Sequence, residues 1–151
     1  MRKIIILMLI SFSSYAQISI MSTYAIYNKL VSANHIKNPP KLVLVQTEEA
    51  NAYSTYREIG MYTGMMTYLH NDDEMANILG HELGHFILKH YNKKEGSKPP
   101  YEFDADEMGA KLMRNAGFDV CKGAHFMKKR NEPWSVTHPS DEARYKSLGC
   151  H

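Results

Sequence analysis

The sequence predicts an α+β fold, mostly helical around one small β-sheet, and three observations carry that reading. Met75, Ile78, Leu79, Leu83, Phe86 and Ile87 recur at the i, i+3, i+4 spacing of a buried helix face. Lys41-Leu-Val-Leu-Val45 is a β-branched and leucine run between Pro39-Pro40 and a polar patch, the pattern of a short strand. Beyond residue 100, helical segments separated by caps and breakers run to the end of the chain. With 151 residues, 44% apolar and 23% charged, the chain is one domain of ordinary size that can bury enough surface to fold unaided.

The first residues read as a leader. Arg2 and Lys3 precede the apolar run Ile4 to Ile10, extended by Phe12, and Ser14-Tyr15-Ala16 places small residues at −3 and −1. Residues 1–16 are therefore expected to be a signal peptide. Residues 17–151 are expected to be a single domain working in the periplasm or outside the cell. The apolar run is far shorter than the ~20 residues that span a bilayer. No other segment is apolar enough, so the mature chain is expected to lack a transmembrane segment. Arg2 and Lys3 account for the whole formal charge of +2. A balanced remainder makes nucleic acid an unsuitable main partner.

The elements follow in order. Residues Ile18 to Ile36 form a helix stopped before Asn38-Pro39-Pro40. After the Lys41–Val45 strand, Asn51 to Tyr56 and Ile59 to Thr63 flank Arg57-Glu58 as a hairpin, which Gly60 and Gly64 weaken. The strongest helix spans Asp72 to Tyr91. Asn71 or Asp72 caps it, Asp73 and Glu74 suit its positive end, and Lys93, Lys94 and Gly96 close it. A helix from Tyr101 to Ala116 follows Pro100 and stops at Gly117, and another covers Val120 to Lys129. Asn131 to Pro139 is a loop with two prolines. Ser140 then caps a short helix, Asp141 to Leu148, closed by Gly149. Cys121 and Cys150 lack the spacing of a metal site. In an exported chain they are expected to form a disulfide, with two free thiols as the alternative.

The strong helix carries His81-Glu82-Leu83-Gly84-His85. Four residues make just over one turn, so both imidazoles leave one side of the helix and can grip one ion. Glu82 is offset by about 100°, clear of the ion and able to hold a water. Gly84 costs about 1 kcal/mol of helix stability, which calls for a reason such as close packing beneath the ligands. A catalytic zinc needs a third protein ligand and an open position. A third histidine on the same helix would need Gly at 88 and His at 91, where this chain has Leu88 and Tyr91. The other layout takes a glutamate from a following helix with an aspartate one turn on, and Glu102-Phe-Asp-Ala-Asp106 supplies it. Glu102 can bind the ion, and Asp106 can accept a hydrogen bond from a ligand imidazole. First-turn acids that serve only the helix dipole are the alternative.

In these stretches the sequence resembles the gluzincin metallopeptidases of the HtpX, CAAX prenyl endopeptidase and BepA type. The resemblance runs through Asn51-Ala52-Tyr53, Thr63-Gly64-Met65-Met66, Asp73-Glu74, the motif from His81 to His85, Glu102 to Asp106, and Thr137-His138-Pro139-Ser140 with Arg144. It implies a helical zincin-like metallopeptidase domain with a small β-sheet whose edge strand borders the active-site cleft. It implies one Zn2+ per chain on His81, His85 and Glu102, with Glu82 as general base and Asp106 behind the ligands. His138 is implied near the metal, where an imidazole stabilises an oxyanion. Asn51, Ala52 and Tyr53 are implied on the strand that binds a polypeptide substrate in extended form. The chain carries no membrane helices of the HtpX type and no repeats of the BepA type, so it is expected to be a minimal soluble catalytic domain.

Of the other histidines, His90 is expected to point away from the ligands in a structural role, and His125, among Lys122, Lys128 and Lys129, to be solvated. The function read from these residues is hydrolysis of peptide bonds in exported or misfolded proteins. A zinc-stabilised binding or chaperone module of the cell envelope is the second reading, and Glu82 argues against it because a structural site has no use for that carboxylate.

Overall fold

The computed structural model of the chain describes residues 19–93, 98–133 and 135–151. The expected signal peptide, Gly96 and Trp134 lie outside the described residues. The order is α1 (Ile20–Ala33), β1 (Lys41–Val45), β2 (Ala52–Ser54), β3 (Glu58–Tyr62), α2 (Thr63–Met66), α3 (Asp72–Ile87), a 3-10 turn (His90–Asn92), α4 (Pro99–Asn115), α5 (Val120–Arg130) and α6 (Asp141–Ser147). The mixed α+β class read from the sequence is the one found. Among the described residues no helix is long and apolar enough to cross a membrane.

Helix α3 is the centre of the molecule. Asn71 caps it, its side chain accepting from the Glu74 N–H. Its apolar face, Met75, Leu79 and Leu83, is fully buried. It meets Leu30 of α1, Met113 of α4 and Met127 of α5 in one core with Ile59 and Met61 of β3. The closest packing is against α4. A Cβ on Gly84 would lie 2.6 Å from the Ala105 carbonyl oxygen, and one on Gly109 would lie 2.8 Å from the backbone of Gly80. Glycine at these crossings lets the two backbones approach, which accounts for the helix-weakening Gly84 inside the motif.

The sheet has the order β1-β3-β2, with β1 parallel and β2 antiparallel to β3. Gly60 pairs across from Tyr53, and a Cβ there would fall 2.0 Å from the Tyr53 ring. The glycine that weakens the strand pattern thus makes room for the ring lying over it. Strand β2 is an edge. Asn51 and Thr55 bond to Tyr62 and Glu58, so by antiparallel alternation Ala52 and Ser54 turn their backbone groups away from β3.

Several element boundaries differ from the sequence reading. Helix α1 begins at Ile20 because the Ser19 side chain caps it through the Ser22 N–H, and it ends at Ala33. The turn α2 was not anticipated; the Thr63 hydroxyl fixes it by donating to the Thr47 carbonyl. Helix α4 starts two residues early, since Pro99 and Pro100 occupy first-turn positions where an N–H would have no intrahelical partner. Helix α3 stops at Ile87 rather than Tyr91. Leu88 closes it, and Lys89 takes a left-handed φ of 57°, which reverses the chain into the 3-10 turn.

Candidate metal centre

Helices α3 and α4 bring His81, His85 and Glu102 together. His81 Nε2 lies 3.0 Å from His85 Nε2 and 3.3 Å from Glu102 Oε2, and His85 Nε2 lies 3.5 Å from Glu102 Oε1. Ligand atoms of all three fall within 4.8 Å of one another. Two imidazoles and one carboxylate are a donor set that suits zinc. The convergence follows from local structure: the i, i+4 pair shares one face of α3, and the glycine-lined crossing holds the first turn of α4 against it. Glu102 and His81 are buried, and His85 is half-buried.

Asp106 stands one turn after Glu102 and takes His81 Nδ1 at 2.9 Å. Arg144 of α6 grips the same carboxylate with both arms, Nε to Oδ2 at 2.7 Å and Nη2 to Oδ1 at 2.6 Å. Burial opposes ionisation of Asp106, but hydrogen bonds and charge from Arg144 and His81 hold its pKa down at about 2. Burial and Arg144 also oppose a charge on His81, yet Asp106 and Glu102 push its pKa up to about 9. The protonated ring is therefore favoured between these acids, so a metal ion bound at Nε2 displaces a proton. Burial raises the Glu82 carboxyl above the usual carboxylate range, with His81 and His85 pulling the other way. Glu82 is buried and lines the cleft beside the cluster.

That cleft has two halves that meet at His81, Glu82 and Glu102. The larger, about 540 Å³, is lined by Asn51, Asn77, Ile78, Phe126 and His138. The smaller, about 290 Å³, is lined by Tyr53, Ser54, His90, Tyr91 and Tyr101. Ala52 belongs to both, so β2 runs along the rim of the whole cleft. His138 lies on the opposite loop, exposed, with Nε2 at 3.9 Å from Glu102 Oε2. Its Nδ1 is 2.8 Å from the Thr137 hydroxyl, and its N–H donates to the Ser135 hydroxyl. Tyr53 packs on its own sheet, its hydroxyl on Glu58 and its ring edge against Tyr62. Cys121 and Cys150 are joined as a disulfide, Cα atoms 5.4 Å apart, tying α5 to the segment after α6.

One expectation is corrected and one role was missed. His90 does not point away from the ligands: its Nδ1 is 2.9 Å from His85 Nδ1. The helix ends before it, and left-handed Lys89 turns it back onto His85. Arg144, present in the resembling stretches, has a role that its own sequence context does not reveal: it stands four residues after the capping Ser140, like any residue of a short helix. His125 is exposed, as expected.

The family model of Peptidase family M48 matches residues 22–96, about half of the chain. The match contains the helix with His81, Glu82 and His85 and ends before Glu102, so the acidic ligand candidate, Asp106, His138 and Arg144 rest on geometry. A beta-barrel assembly-enhancing protease of Yersinia pestis is 29% identical over 65 residues, which is 42% of this chain. The match spans only 13% of that protein's length. With the motif helix inside the matched residues and a third donor brought to it by the fold, the chain is similar to Peptidase family M48, a family of metallopeptidases.

Proposed function

We propose that the chain is a zinc-dependent endopeptidase that cuts exported or misfolded proteins, with His81, His85 and Glu102 as the metal ligands. The observation that carries this reading is a buried carboxylate, Glu82, set in a cleft beside three converging donors and lined by the edge strand β2. A zinc ion bound there supplies Lewis acidity to a water and to a substrate carbonyl. Glu82 takes the proton of the attacking water and delivers it to the leaving amine. Asp106, clamped by Arg144, holds the His81 tautomer and ring orientation. His138, across the cleft from β2, donates to the oxyanion that develops on the attacked carbonyl. The substrate lies extended along Asn51, Ala52 and Tyr53, where outward backbone groups of β2 accept an added strand. The leader pattern of residues 1–16 supports export, with residues 17–151 as the working domain and Gln17 as the new N-terminus.

The test is turnover of an unfolded protein with and without chelator, beside Glu82→Gln. This variant keeps size and hydrogen bonding but lacks the base, so it should fold, bind zinc and cut at least ~100-fold more slowly. Metal analysis should find one zinc per chain, lost in a His81→Ala, His85→Ala double variant. A chain that binds zinc at this site yet cuts nothing would leave the second reading, a zinc-stabilised binding module.

A further inference from the structure

We infer that His90 is a positioning residue for His85, accepting its Nδ1 proton and so fixing the tautomer that turns Nε2 toward the metal. The inference rests on the zinc reading above. An imidazole coordinates a metal only through a bare nitrogen. His85 faces the donor cluster with Nε2, so its proton sits on Nδ1. The group 2.9 Å from that proton's nitrogen is His90 Nδ1, which must then be the acceptor and carry its own proton on Nε2.

The chain takes an unusual path to make this contact. Lys89 adopts a left-handed conformation, uncommon for a residue with a side chain. The turn it opens is pinned by bonds from Lys93 N–H to the His90 carbonyl and from Asn92 N–H to the Lys89 carbonyl. The His90 ring lies against Tyr101, centroids 4.9 Å apart, and Tyr101 immediately precedes Glu102 on α4. His90 is thus braced between the end of the helix that carries two donors and the start of the helix that carries the third. The two imidazoles are backed unequally. His81 leans on an ionised carboxylate held by an arginine fork, His85 on a neutral ring. A charged acceptor makes the stronger hydrogen bond, so His85 is the weaker arm of the site and depends more on its partner's position.

Two variants of the full chain separate this role from packing. His90→Phe keeps a ring against Tyr101 and removes the acceptor. His90→Asn loses the ring but presents its carbonyl oxygen where Nδ1 stood. Zinc affinity is measured by competition with a chelator, and the melting temperature of the metal-free protein controls for folding. The expected result is a loss of about tenfold or more in affinity for His90→Phe, with His90→Asn within a few fold of the wild type. A His90→Phe protein that binds zinc like the wild type, or a His90→Asn protein that falls as far, would overturn the inference while leaving the zinc reading standing. A wild type that binds no zinc, or binds it equally well with His81→Ala, would instead overturn the zinc reading, and this inference with it.

Discussion

Asp106 holds His81 Nδ1 at 2.9 Å, and on the proposed reading it orients that ring. Its buried charge is tolerable because Arg144 meets both oxygens in a planar fork. Lysine keeps the charge but not the fork. Arg144→Lys is therefore expected to leave the protein folded and to weaken zinc binding roughly tenfold, read by chelator competition. The His81-Glu82-Leu83-Gly84-His85 motif was legible in the sequence because its geometry is set by helical spacing alone. Glu102 and Asp106 were legible as a pair for the same reason, though their meeting with α3 depends on the fold. Arg144 and His90 were not legible. Arg144 reaches Asp106 only once α6 has docked, and His90 faces His85 only because a lysine leaves the helical region, which no local rule predicts.

At the scale of the elements, the crossing of α3 and α4 brings the three candidate donors together. Alanine at Gly84 would gain about 1 kcal/mol of helix propensity. Its methyl would also stand 2.6 Å from the Ala105 carbonyl oxygen, a backbone atom that cannot move without shifting α4. Overpacking of this kind costs roughly 1–3 kcal/mol, so the crossing wins. Gly84→Ala should melt at lower temperature and bind zinc less tightly, since Glu102 moves with the helix. Helices α3 and α6 could be placed from the sequence because their caps are side chains within a turn of the boundary, Asn71 and Ser140, and the structure shows the same device at α5 in Asp119. The turn α2 could not, because its anchor is Thr47, sixteen residues away. The β2–β3 hairpin was legible despite Gly60, whose purpose appears only when Tyr53 lies across it.

The whole molecule is closed by long-range ties near its C-terminal side. The disulfide between Cys121 and Cys150, 29 residues apart, shortens a loop that includes His138, and the chain-entropy argument gives it roughly 3–4 kcal/mol. Cys150→Ser should lose about that much in denaturant unfolding while keeping zinc, with turnover reduced as the loop loosens. Arg130 and the Glu132 N–H both bond to Asp141, so the start of α6 is fastened to the end of α5. Arg144 then reaches back across 63 residues to His81. That distance along the chain gives the site a schedule. In chain order the motif helix α3 precedes the helix α6 that steadies it. On the proposed reading, the site is complete only after the last helix has docked, so activity is expected to appear late in folding. A chain stopped after Asn131 should accordingly show no turnover on the unfolded substrate that the full chain degrades.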